Sequence, residues 1–435
     1  MEFLYFFILG HCPDLSIAEI TSQVKGKIID LSKNFLILET QEKLEIEKLQ
    51  KKLGGTIKIG RLITSTKMDS LVNEFFYTDW LLKKLNRNKK IYFGFSFYGF
   101  DQQFKFKKLK PIIKNWALKI KKNLKEVGAS SRWVESKETI LSSVVVKKNK
   151  LLTNGIEFIL LKNSQNENNQ NQTIYIGQTL TCQEFEEYEK RDYGRPARNI
   201  EEGMIPPKLA KIMINLANIS KEKNILDPFC GSGTIIQEAI LMNYQNIIGT
   251  DLSNDAIKNS QKNINWLVSN SNFLVSKSLP EQDPTRAEQS KNLNVKIFQA
   301  DVKEASKKLL AKSIDAIITE PYLGPIRLKN LELGISNLIS ELSNLYLKAF
   351  EEFKKILKKD GRVVIIFPIF RINNALYFLP ILEELKKSGW QIINPTPKEL
   401  KQGSIIKKNE RNSIIYSRSD QTVLREIFMF EHTNS

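Results

Sequence analysis

Short apolar runs that end in an acid recur along the carboxyl half of this 435-residue chain. Ile225-Leu226-Asp227, Ile247-Ile248-Gly249-Thr250-Asp251, Phe298-Gln299-Ala300-Asp301 and Ala316-Ile317-Ile318-Thr319-Glu320 each read as a strand closed by a carboxylate. Arg362 to Phe367, Gln391 to Ile393 and Arg425 to Phe430 supply three more. The pattern predicts an α/β fold with a seven-stranded, mostly parallel sheet and helices on both faces. One acid at a strand end often only caps the next helix. Four in register point instead to a ligand site at the carboxyl edge of the sheet, where open α/β sheets hold ligands.

The amino half has a different rhythm. An apolar run at 3–9, a helical stretch from Ser16, a strand from Phe35 to Glu39, a helix from Glu42 and a strand from Thr56 to Thr64 fit a small ferredoxin-like unit. Pro111 to Glu126 reads as a helix with Ile113, Trp116, Ile120 and Leu124 on one face. Further strands are expected near Val144, Phe158 and Ile174. The polar run 163–172 reads as a hairpin tip, and 269–293 as a surface insertion.

The most informative stretch is Asp227-Pro228-Phe229-Cys230-Gly231-Ser232-Gly233-Thr234. Its glycines let backbone approach a bound molecule closely, and the helix that follows offers free amide donors. The loop lacks the third glycine of Gly-x-Gly-x-x-Gly and the lysine of a phosphate-cradling loop. A nucleotide-like cofactor is expected, and a triphosphate is disfavoured.

Asp227 through Thr234, Asp251, Asp301 and Glu320-Pro321-Tyr322 together resemble the class I S-adenosylmethionine-dependent methyltransferases that modify exocyclic amines of nucleobases. Arg191 to Asn199, Gly203 to Ala210, Tyr416 to Ile427 and the opening Leu9-Gly10 with Pro13 to Ile20 narrow this to the THUMP-domain tRNA guanosine N2-methyltransferase family, of the type acting at position 10. The resemblance implies a Rossmann-like catalytic domain in which Asp227, Pro228, Phe229, Gly231 and Gly233 hold the methionine end of S-adenosylmethionine. Asp251 with Leu252 would hold the ribose, and Asp301 with Val302 the adenine. Glu320, Pro321 and Tyr322 would face the base. The family's usual tetrapeptide is Asp/Asn-Pro-Pro-Tyr/Phe followed by glycine; here the acid is one methylene longer and the aromatic comes one residue early. Tyr322 either stacks on the base or packs under its loop.

Charge adds a partner. The chain holds 66 Lys and Arg against 48 Asp and Glu, a net +18. Residues 51–150 alone hold 24 basic and 7 acidic residues, and 105–125 hold nine lysines and no acid. A positive field so localised suits a polyanion. Lys105, Lys107, Lys108, Lys110, Lys114, Lys121 and Lys125, with Arg195 and Arg198, are the expected RNA contacts, directed at phosphates.

The implied organisation is a ferredoxin-like domain at 1–65, a THUMP domain docking tRNA at 66–180, a linker at 181–200 and the methyltransferase domain at 201–435. The run at 3–9 is too short to cross a bilayer, and Cys12, Cys182 and Cys230 suit a reducing cytoplasm. His11 and His432 show no metal-ligand spacing, so no metal is expected. A monomer is expected, with an accessory subunit left open. Methylation of an adenine amine, and a catalytically silent RNA-binding protein on the same fold, stay open as alternatives.

Overall fold

The computed structural model describes residues 2–67, 89–100, 106–162, 173–198, 204–270, 293–325, 334–397, 410–418 and 421–433, with backbone alone at 106–109. The chain falls into two compact units: Met1–Pro13, Val24–Lys51 and Gly55–Phe185 form one, and Asp14–Gln23, Lys52–Gly54 and Glu186–Ser435 the other.

The first unit is built on eight strands: β1 (Phe3–Leu9), β2 (Lys27–Leu31), β3 (Phe35–Thr40), β4 (Thr56–Lys67), β5 (Ile91–Tyr98), β6 (Ser131–Val134), β7 (Gly155–Lys162) and β8 (Thr173–Cys182). Their order is β2-β3-β1-β4-β8-β7-β5-β6. Because β4 pairs with β1 on one side and β8 on the other, residues from both 1–65 and 66–180 build one continuous sheet. The expected strand near Val144 is instead a short helix, Ser143–Lys148, started by Ser142, whose hydroxyl accepts from the Val145 amide at 3.3 Å. That cap overrides the strand preference of three consecutive valines.

The basic helix runs Phe106–Glu126, a turn longer than its pattern predicts, with Pro111 inside it. Ile113, Trp116, Ile120 and Leu124 are buried, as expected, against Phe93, Phe95, Phe158 and Leu160 of the sheet. A second buried cluster is polar. Lys58 Nζ donates to Glu157 Oε1 at 2.5 Å and to the Leu141 carbonyl at 2.6 Å, while the Ser96 and Thr179 hydroxyls each donate to Glu157 at 2.6 Å.

The second unit contains β9 (Asn224–Asp227), β10 (Asn246–Asp251), β11 (Asn294–Gln299), β12 (Ile314–Thr319), β13 (Leu357–Ile372), β14 (Ala375–Phe378), β15 (Trp390–Ile393), β16 (Ile414–Tyr416) and β17 (Val423–His432). The main path β11-β10-β9-β12-β13-β17-β15 has the seven strands that the apolar runs predict. Strands from β11 through β13 are parallel, and β17 runs antiparallel between β13 and β15. Tyr346, Phe350 and Phe353 of the helix Ile335–Ile356 cover one face, with Phe350 edge-on to both Trp390 and Phe430 at 5.0 Å.

Two strands of this unit, β14 and β16, go beyond the apolar runs. β13 continues past Ile365, the partner of Thr319, and turns at Asn373 and Asn374, whose φ angles of 48° and 65° are positive, to return as β14. The start of β17 pairs onto this extension and β16 pairs onto β17, with Arg425 opposite Pro368 on one side and Tyr416 on the other. β14, β13, β17 and β16 thus form an antiparallel wall rising past the end of β12. Within this unit, Glu19 of the helix Pro13–Gln23 accepts from the Gly54 amide at 2.8 Å and Asn215 Nδ2 at 2.7 Å.

Candidate active site

Parallel strands in register put their carboxyl ends side by side. Gly249 lies opposite Asp227, and Asp251 opposite Gln299, which precedes Asp301 by two residues. Asp227, Asp251, Asp301 and Glu320 consequently line one cavity of about 720 Å³, together with Pro228, Phe229, Gly231, Leu252, Val302, Pro321 and Tyr322. All of the expected cofactor residues except Gly233 line it; Gly233 stands behind the loop as the cap of the helix Thr234–Leu241, its φ of 81° open to glycine and its carbonyl accepting the Gln237 amide at 2.9 Å. Gly231, at φ 50°, has no heavy atom within 4 Å of where a Cβ would sit, so loop backbone borders open space there.

The acids are not equivalent. Asp227 is buried; its Oδ1 accepts from the Thr319 hydroxyl at 2.7 Å and the Phe229 amide at 3.3 Å. Burial pushes its carboxyl up to about 7, with Asp251 and Glu320 adding to the rise and the two hydrogen bonds opposing it. Asp251 accepts from the Gly231 and Ser253 amides, both at 2.9 Å, tying β10 to the glycine loop. Asp301 also accepts from the Lys303 amide at 2.9 Å, so it caps the short helix after β11 while lining the cavity. Burial drives the Cys230 thiol up, which removes it as a nucleophile at neutral pH.

Glu320 differs again. Arg425 donates Nε to its Oε1 at 2.5 Å and Nη2 to its Oε2 at 3.4 Å. Tyr322 is 53 % exposed, against the reading that it packs beneath its loop, and its carbonyl accepts from the Tyr346 hydroxyl at 3.2 Å. Leu252 is 65 % exposed, whereas Val302, which also lines the cavity, is buried.

The basic residues divide. Lys110, Lys114, Lys121 and Lys125 lie exposed on the helix Phe106–Glu126, and Lys110 sits 3.8 Å from Glu135. Lys105 lies outside the described residues, as do the side chains of Lys107 and Lys108. Arg198 is exposed, 5.0 Å above the Tyr193 ring. Arg195 departs from the expected RNA contact: it is 3 % exposed, with Nη1 donating to the Thr234 hydroxyl at 2.6 Å, so it braces the end of the glycine loop where the next helix starts. Asn263, which sequence reasoning missed, does the same work, linking the Ala197 and Ser232 carbonyls at 2.9 Å each. Arg425 was also missed as a site residue. Its signal was a strand register that brings the start of β17 beside the end of β12.

Among the described residues, no group of His, Cys, Asp or Glu is arranged to hold a metal, and no helix is long and apolar enough to cross a membrane. Residues 195–373 match the RMKL-like methyltransferase domain. A DNA methylase family model matches 66–262, a span that omits Glu320 and runs through parts of both units. A tRNA (guanine(10)-N2)-dimethyltransferase of Methanocaldococcus jannaschii is 28 % identical over 202 residues, 45 % of this chain and 46 % of that one. The enzyme of the same description from Methanothermobacter thermautotrophicus is 27 % identical over 122 residues, 28 % of each chain. The chain therefore spans less than half the length of these curated relatives. The solved TrmN of Thermus thermophilus shares the fold over 99 % of this chain and 100 % of its own, with a TM-score of 0.52 and 13 % identity. Residues 195–373 are thus similar to the RMKL-like methyltransferase domain, and the likeness to tRNA guanine-N2 methyltransferases read from the sequence is borne out.

Proposed function

We propose that this protein is an S-adenosylmethionine-dependent tRNA methyltransferase that forms N2-methylguanosine at position 10. The observation that carries the reading is the convergence of Asp227, Asp251, Asp301 and Glu320-Pro321-Tyr322 on one cavity within the methyltransferase domain. The donor fits that cavity on chemistry: its ammonium and sulfonium suit buried Asp227, its ribose suits Asp251, and its adenine suits Asp301 between Leu252 and Val302. A volume of about 720 Å³ falls within the range usual for cofactor-sized ligands. S-adenosylmethionine supplies a methyl group activated on sulfur.

Guanine N2 is a weak nucleophile because its lone pair is delocalised into the ring. Glu320 and the Pro321 carbonyl would accept hydrogen bonds from the amine as positive charge develops on it, and Tyr322 would offer a stacking face. Holding nitrogen, methyl carbon and sulfur in line is worth up to roughly 7–11 kcal/mol. The first unit, with Lys110, Lys114, Lys121 and Lys125 along its exposed helix face, would serve as the THUMP-type docking module for tRNA phosphates in a cytoplasmic enzyme.

Methyl transfer from labelled cofactor into tRNA but not duplex DNA tests this reading, with nucleoside mass spectrometry locating the product. Glu320→Ala should lower the rate by about 10²–10⁴-fold; a variant that methylates normally removes Glu320 from the mechanism. The DNA methylase match favours one other reading, transfer to an adenine amine, and label in duplex DNA would select it.

A further inference from the structure

Arg195 is a buried cation without an ion pair among the described residues. Nη1 donates to the Thr234 hydroxyl at 2.6 Å and Nη2 to the Met204 thioether at 2.8 Å, while Nε has no hydrogen-bond partner. Asp192 and Glu238 attract the guanidinium only from beyond ion-pair distance. Glu238 is already spent, with Arg191 at 2.6 Å and Lys211 at 3.6 Å. A buried charge met by neutral groups alone is costly, and the cost falls when a ligand brings an anion.

Both residues that Arg195 grips line the cavity. Thr234 is the first residue of the helix Thr234–Leu241, whose cap, Gly233, has no side chain to meet the first-turn amides. A hydroxyl has one donor and two acceptor sites, so taking a hydrogen from Arg195 leaves the Thr234 O–H to donate. A donor at a helix start, backed by a guanidinium, suits an anion. S-adenosylmethionine carries one, the α-carboxylate beside the ammonium that suits Asp227. The other cations lining the cavity are engaged or at the wrong end: Arg425 is held by Glu320, and Lys303 lies beside Asp301, where the adenine belongs.

We propose that Arg195 is the positioning residue for the amino-acid end of the cofactor, fixing Thr234 to donate its hydroxyl to the α-carboxylate and supplying the positive charge which that anion needs. The inference rests on the S-adenosylmethionine reading above and adds the residues that hold its carboxylate. Arg195 acts through Thr234 and touches no reacting atom.

The test titrates the full-length protein by calorimetry with two ligands, S-adenosylmethionine and decarboxylated S-adenosylmethionine. The second keeps adenosine, sulfonium and ammonium and lacks only the carboxylate. The wild-type protein should favour the first by about thirtyfold in Kd, the scale of a hydrogen bond to a charged group. Arg195→Met should shrink that ratio to within about threefold. Thr234→Val, close in volume, should shrink it to the same degree, and Thr234→Ser should keep it. General damage to the pocket would weaken both ligands together and leave the ratio unchanged. If Arg195→Met binds neither ligand, the ratio in Thr234→Val decides. A wild-type ratio near one, or a ratio that either variant leaves unchanged, overturns the proposal. Absence of heat with both ligands on the wild-type protein overturns the S-adenosylmethionine reading itself, and this inference falls with it.

Discussion

Two buried acids, Glu157 in the first unit and Asp227 in the second, sit in opposite settings. In the first, Lys58 of β4 and Glu157 of β7 pair at 2.5 Å across β8, and Glu157 also takes hydrogen bonds from Ser96 and Thr179. The cluster closes on itself. In the second, Asp227 is equally buried but meets only a hydroxyl and an amide, with Asp251 and Glu320 repelling its charge. No cation is among the groups that shift Asp227, and Asp227 opens onto a cavity. A closed polar cluster serves to hold a fold together; an acid left wanting positive charge marks where a cationic ligand belongs.

The contrast can be broken at its closed end first. Glu157→Gln strips the anion from Lys58 and should destabilise the first unit by about 3–5 kcal/mol, the usual cost of stranding one member of a buried pair. Thermal melting checks this, and a shift of under a degree would mean that the cluster is not dry. A smaller effect is expected at the open end. With Asp227 titrating near 7, binding of a cationic donor should release a proton and weaken by roughly an order of magnitude from pH 7.5 to pH 6. Calorimetry in buffers of different ionisation heat reads both, and Asp227→Asn should abolish the pH dependence. The stability consequence has the opposite sense to an ordinary salt-bridged acid. Between about pH 4 and pH 7 the folded chain keeps a proton that the unfolded chain has lost, so this group's contribution to stability falls as pH rises.

The smallest effect concerns the surface. Replacing Lys114, Lys121 and Lys125 together with glutamine should weaken tRNA binding evenly across sequences and flatten its dependence on log salt by about one for each phosphate no longer neutralised. An unchanged slope would put the docking surface elsewhere.

The sheet of the second unit was legible because its pattern repeats: Asp227, Asp251, Asp301 and Glu320 each close an apolar run, and parallel register does the rest. The helix face through Trp116 was legible for the same reason, a clean period. What escaped depends on partners distant in sequence. β2 is a five-residue edge strand with Lys27 and Asp30 in it, β16 has three residues, and neither announces itself without its neighbour. Arg195 read as a surface arginine because nothing nearby in sequence reveals Thr234 as its acceptor. The fork between Glu320 and Arg425 joins residues 105 positions apart, a relation that only the wall beyond β13 creates.

The chain passes from one unit to the other five times, lending Asp14–Gln23 and Lys52–Gly54 to the second unit before that unit's main span begins at Glu186. No single cut separates the halves. A single breakpoint ahead of Glu186 would leave the second unit without Glu19, which accepts from Asn215 and Gly54, so one crossover cannot exchange either unit whole.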